Sequence, residues 1–138
     1  MNIVSIRIIT EDVKTLVEFY EQITGIKAIQ YTDDFAEIQT GSATLAIGST
    51  RTLSFFGGKD IAKAAQNRTA IIEFLVKDVE SDYDRLADFL QSSLVQKPTV
   101  MPWGNKSLLF RDPDGNLVNF FTPVAAGAVA KFASRLEI

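Results

Sequence analysis

The sequence predicts an α+β fold built from two tandem βαβββ modules, which together form a curved mixed sheet around a cavity. Three observations carry that expectation. A strand followed by a helix opens the chain and recurs later: a shift of 66 positions lays Asp12-Val13 on Asp78-Val79 and Ile6 on Ile72. Each helix is followed by three short runs of strand-like spacing. The last two runs are joined by DPDGN (Asp112–Asn116), where Pro113 presets its own backbone angle and Gly115 can take positive φ at little steric cost.

The first module covers about residues 1–50. Val4, Ile6 and Ile8 alternate with Ser5, Arg7 and Ile9, the period-two pattern of a strand. Val13, Leu16, Val17 and Tyr20 follow at helical spacing, and Thr24-Gly25 supplies a stop. Ala28–Thr32, Phe35–Thr40 and Ala43–Ile47 read as strands separated by Asp33-Asp34 and Gly41-Ser42. Residues 51–68 link the modules, with a short helix expected over Ile61–Gln66.

The second module covers about residues 69–123. Ala70, Ile72 and Phe74 alternate with Ile71, Glu73 and Leu75, and a helix after Asp78-Val79 carries Tyr83, Leu86 and Leu90. Strands are expected near Leu94–Lys97 and over Ser107–Phe110 and Leu117–Phe121. Alternation in the last one puts Asn119 on the same face as Leu117 and Phe121. A tail helix within residues 124–137 sets Val129, Phe132, Ala133 and Leu136 on one stripe, expected to pack on the domain or on a second subunit.

Composition removes several function classes. At 138 residues the chain is expected to be one domain. Net charge is −3 with no Lys/Arg cluster, which argues against nucleic acid as a partner. No run approaches the ~18 apolar residues of a membrane span. The apolar start, Ile3–Ile9, is interrupted by Arg7 and followed by Glu11 and Asp12, unlike a targeting signal, so a cytoplasmic location is expected. Cysteine and histidine are both absent, which excludes thiolate and imidazole chemistry, including Ser–His nucleophiles. Gly57-Gly58-Lys59 is not a phosphate loop, because Leu53 and Asp60 break the pattern.

Four stretches fall in order on this internal repeat: DVKTLVEFYEQITGI (12–26), FAEIQTGSATLAI (35–47), KDVESDYDRL (77–86) and PWGNKSLLFRDPDGNLVNFF (102–121). Together they resemble the vicinal oxygen chelate superfamily of glyoxalases, extradiol dioxygenases and bleomycin-resistance-type proteins. The resemblance implies the fold, whereas one fold hosts many chemistries. Metalloenzymes of that superfamily take their ligands from the first and last strand of each module. Carried over position by position, those ligands fall on Ser5, Ile71, Asn119 and either Leu45 or Ala46. A catalytic metal ordinarily takes about three His, carboxylate or thiolate ligands, so none of these positions is well filled. The DPDG turn is no calcium loop either, because the residue at loop position twelve is Pro123. The expectation is therefore no metal and no cofactor.

The candidate ligand-binding residues are Ser5, Arg7, Glu73, Trp103, Asn119, Phe121 and Phe56. Arg7 and Glu73 are equivalent in the two modules. A pseudo-twofold relation would bring them together, as the polar floor of a pocket or as a salt bridge fixing how the modules meet. Trp103 either stacks on a flat ligand, as aromatics near this position do in resistance-type members, or plugs the end of the sheet. Phe55-Phe56-Gly57-Gly58 could form an aromatic lid. The resemblance then implies a metal-independent small-molecule binding protein, antibiotics among its candidate ligands, similar to the bleomycin-resistance-like branch and acting as a homodimer without turnover. The alternative is an isomerase or lyase in which Glu73 is the catalytic general base and Arg7 holds an enolate or carboxylate. A metal-dependent glyoxalase of the lactoylglutathione lyase type, or a dioxygenase, is disfavoured by the ligand positions. A scaffold domain whose cavity has lost its role is the third reading.

Overall fold

The computed structural model describes residues 1–136, and its contacts divide the chain into two units. The first comprises Met1–Asn67 with Pro113–Gly115, and the second takes in the rest from Arg68 onward.

In the first unit the order is β1 (Ser5–Thr10), α1 (Val13–Thr24), β2 (Ile29–Thr32), β3 (Phe35–Gln39) and β4 (Thr44–Ser49). Asp12 caps α1, its carboxylate accepting from the backbone and hydroxyl of Thr15 at 3.1 and 2.7 Å. Gly25 ends the helix at φ 71°, a left-handed conformation that suits glycine. The sheet runs β1-β4-β3-β2, with β1 parallel to β4 and the other pairs antiparallel. Helix α1 packs on β3 and β4, where Ala36, Ile38, Leu45 and Ile47 are buried beside its Leu16, Tyr20 and Ile23. The opposite face is set by register: Arg7 pairs with Ala46 and Ala46 with Glu37, while Ile9 pairs with Gly48 and Gly48 with Phe35.

The second unit repeats the plan with β5 (Ile71–Leu75), α2 (Val79–Leu90), β6 (Leu94–Val100), β7 (Asn105–Arg111) and β8 (Leu117–Pro123), then α3 (Ala126–Phe132). Its sheet runs β5-β8-β7-β6, with β5 parallel to β8. Asp78 caps α2 by accepting from the backbone of Glu80 and Ser81. On the face toward α2, Phe120 meets Phe74 and Phe110 edge-on at 5.4 and 5.3 Å. The turn between β7 and β8 closes on Asp112: one carboxylate oxygen accepts from the Asn116 backbone at 2.9 Å, the other from its side-chain amide at 2.7 Å. Among the described residues no helix is long and apolar enough to cross a membrane.

The two expected βαβββ modules each form a four-stranded mixed sheet, one in each unit. Two other expectations need correction. No helix forms over Ile61–Gln66, where six residues are too few to offset helix nucleation and Ala65 takes φ 57°. The linker is instead helical earlier, as a 3-10 segment over Thr50–Phe56 capped by the Ser49 hydroxyl and ended by Gly57 at φ 112°. The tail helix stops at Phe132 and gives way to a 3-10 turn, Ala133–Arg135. Its expected last residue, Glu137, lies outside the described residues. Val129 and Ala133 are exposed, and the residue turned inward is Ala128. The cause is Gly104, where an added Cβ would lie 2.6 Å from that of Ala125 and 3.3 Å from that of Ala128. The helix seats its small residues against that backbone, which rotates Val129 outward.

Asp34 anchors the start of the 3-10 segment, accepting from Arg51 Nε at 2.6 Å and from the Ser49 hydroxyl at 2.8 Å. The Arg51 hydrogen bond, then that of Ser49, holds its carboxyl below the ordinary 3.8. A lowered folded-state value means that the unfolded chain takes up the proton first. The contribution is thus present above pH 3.8 and lost as pH falls through the folded value. Melting temperatures followed into acid should fall more steeply for the natural chain than for Asp34→Asn, and superimposable curves would refute the linkage.

Candidate functional site

In the first unit the site is built around Arg7, in the middle of β1. Its stem lies over Gly48, where an added Cβ would meet Arg7 Cδ at 3.5 Å and Thr52 Oγ1 at 3.2 Å. Because Gly48 pairs with Phe35, the guanidinium reaches that ring, 4.5 Å from its centroid. Phe56 comes from the end of the 3-10 segment, its ring centroid 5.1 Å from the same guanidinium. The Arg7 side chain is exposed and, among the described residues, makes no hydrogen bond or ion pair. Tyr31 stacks on Phe35 at 5.7 Å and donates its hydroxyl to Glu37 at 2.8 Å. That bond to a carboxylate pushes the Tyr31 phenol above its usual 10.0. Gln39 donates to the same Glu37 oxygen at 3.1 Å. Ser5 is exposed, beside Thr44.

In the second unit Glu73 stands mid-strand in β5, exposed and directly beside Asn119 of β8. Asn119 Nδ2 donates to Glu73 Oε2 at 2.9 Å. Asn119 is only 8% exposed, and its Oδ1 is buried with no hydrogen-bond partner. An unsatisfied buried acceptor costs about 1–3 kcal/mol, a cost proteins keep where it serves something. Phe121 is buried to the same extent as Asn119, its ring 5.3 Å from that of Phe132 in α3. Trp103 is no plug, being 68% exposed; it lines a groove of about 390 Å³ with Asn105, Lys131 and Phe132. Arg7 and Glu73 each have their neighbours within their own unit.

Register also settles the position left open in β4. Arg7 pairs with Ala46 as Glu73 pairs with Asn119, so Ala46, not Leu45, is the counterpart of Asn119. Leu45 faces the opposite way, buried with Ile47 on the helix side. Sequence reasoning gave Phe35, Glu37 and Gly48 no part beside Arg7. The alternation of FAEIQ, which sets Phe35 and Glu37 on one face, was the available signal.

A family model described as the Glyoxalase/Bleomycin resistance protein/Dioxygenase superfamily matches residues 2–120. The chain belongs to this superfamily. It is similar to the uncharacterized protein YraH of Bacillus subtilis (strain 168), with 27% identity over 126 residues covering 88% of this chain and 98% of that one. Among solved structures, it resembles a glyoxalase/bleomycin resistance protein/dioxygenase from Nocardioides, with TM-score 0.75 and 21% identity over 92% of this chain and 86% of that one. A glyoxalase/bleomycin resistance protein/dioxygenase family enzyme from Burkholderia phytofirmans PsJN gives TM-score 0.77 at 16% identity, covering 90% of this chain and all of the other. At those identities the two structures speak for the fold alone.

The superfamily's divalent-metal positions fall here on Ser5, Ala46, Ile71 and Asn119. One hydroxyl, one carboxamide and two hydrocarbon side chains lack the donors a catalytic metal requires. Among the described residues no group of three His, Cys, Asp or Glu side chains converges elsewhere. The side chains present do not fit the metal of the superfamily's enzymes.

Proposed function

We propose that the chain is a metal-independent binding protein for a small organic molecule, acting in the cytoplasm as a homodimer. The observation that supports this best is that polar groups stay unspent on the very strands whose metal positions lack a His, carboxylate or thiolate set. These are the Arg7 guanidinium in the first unit and Asn119 Oδ1 in the second. Within the first unit Arg7 and Ser5 supply polar contacts and Phe56 an exposed ring face; within the second, Glu73 and Asn119 supply polar contacts and Trp103 an exposed ring face. The mechanism is stoichiometric capture, which protects only if affinity is sub-micromolar, about −8 kcal/mol or better. Antibiotics with flat ring systems are among the candidate ligands.

A second reading takes Glu73 as a general base in an isomerase or lyase. It is favoured by the Asn119 amide, which holds one carboxylate oxygen at 2.9 Å and leaves the other without a hydrogen bond among the described residues. Thermal-shift screening of chelator-treated protein with planar antibiotics and acyl metabolites separates the two. Capture predicts a stabilising compound recovered unchanged at one per chain. Consumption of the compound would favour Glu73 chemistry, and loss of every binding event on chelation would overturn metal independence.

A further inference from the structure

We infer that Arg7, set between Phe35 and Phe56, is a receptor for the carboxylate of a flat aromatic monoacid, which names the ligand class within the capture reading and rests on it. A guanidinium carries five N–H donors in a fixed plane and no acceptor. Arg51 gives its donors to Asp34 and Arg85 to Asp82, whereas among the described residues the Arg7 guanidinium has two rings beside it and no acceptor. Rings against a guanidinium attract the cation through their faces and leave its N–H groups without acceptors. They also limit its rotamers, so less entropy is lost when an oxyanion docks on the fork.

The neighbours define the rest of the molecule. The sheet beside Arg7 is floored by the small residues Ala46 and Gly48, both buried, with the Arg7 stem lying across Gly48. The stacked pair Tyr31 and Phe35 offers aromatic surface to a planar body. Glu37 stands two strands from Arg7 across Ala46, roughly 10 Å at ordinary strand spacing. Its carboxylate already accepts from Tyr31 and Gln39 and does not neutralise Arg7. A second negative charge at the ligand's far end would face Glu37 and be repelled. A monocarboxylate is therefore selected over a dicarboxylate.

Calorimetric and NMR titrations with 2-naphthoate, 2-naphthamide and 2,6-naphthalenedicarboxylate test this on the whole chain. The monoacid should bind at least about tenfold tighter than the amide or the diacid, a gap of about 1.4 kcal/mol. Arg7→Gln should bring the acid down to the amide's affinity. Arg7→Lys should keep part of the preference, since charge survives and the fork does not. Because Arg7 is exposed, Arg7→Gln should melt within a few degrees of the natural chain, which separates lost binding from lost folding. Equal affinity for acid and amide, binding undiminished in Arg7→Gln, or no binding of any probe would overturn the assignment. A captured compound whose affinity is unchanged by Arg7→Gln would overturn the Arg7 receptor while leaving capture standing. Consumption of the bound compound would instead bring down the capture reading itself.

Discussion

Phe120→Ala is expected to lower the unfolding free energy by about 3–5 kcal/mol. Phe120 is 2% exposed in β8, the strand flanked by β5 and β7. Its ring is held edge-on by Phe74 from one neighbour and Phe110 from the other. Removing it takes away a large transfer term and both aromatic contacts together. The space left cannot easily close, because Phe110 and Leu108 are themselves fully buried in fixed strands. For a chain of this length the change amounts to roughly 10–20 °C in melting temperature. Urea denaturation would measure it, with Phe55→Ala as the control. Phe55 is 85% exposed and its loss should cost within about 0.5 kcal/mol. A cost for Phe120→Ala below about 1 kcal/mol would show that the second unit is not organised around that ring.

Asp112→Ala is expected to cost about 2–4 kcal/mol, through polar rather than apolar loss. Asp112 and Asn116 are 5% and 3% exposed. Both carboxylate oxygens are committed to Asn116, one to its backbone and one to its amide. Alanine would take these acceptors from two buried donors of Asn116 and would free the turn that sets the register of β7 against β8. Asp112→Asn should fall between, since it keeps one acceptor and sets an amide against the amide of Asn116. Denaturation of the three proteins in parallel gives the order directly. An alanine variant as stable as the natural chain would mean that Pro113 and Gly115 hold the turn by themselves.

The architecture was legible in the sequence because local signals agreed with one another. Alternation marked the strands, Asp12 and Asp78 marked the helix starts, and Gly25 marked a stop. Where the sequence misled, a distant contact decided. Ile61–Gln66 has helix-forming composition, but nothing packs it into a helix and Ala65 breaks it. The apolar stripe of α3 was read from its own spacing, whereas its rotation is set by the close approach to Gly104. Leu45 and Ala46 could not be told apart by hydrophobicity, since both are apolar and one step along a strand changes the face. At the site, Asn119 was visible as a missing carboxylate. Phe56 was visible as a candidate ligand-binding ring, but its place and that of Phe35 beside Arg7 were not, because Phe35 lies two strands away in the sheet and Phe56 arrives from a linker whose helix was placed elsewhere.

The parallel pairing of β1 with β4 has a kinetic consequence. Within its sheet β1 touches β4 alone, and its partner residues lie at the far end of the module. Contacts between such distant segments form only after the intervening loop has been ordered, whereas the hairpins from β2 to β4 close locally. The strand bearing Arg7 is therefore the last to dock and the first to open, and its amides should exchange with solvent ahead of those in β3 and β4. A molecule gripping Arg7 while resting on Phe35 would fasten that edge strand to one beyond its neighbour. Its occupancy would be felt as slower unfolding of the whole unit.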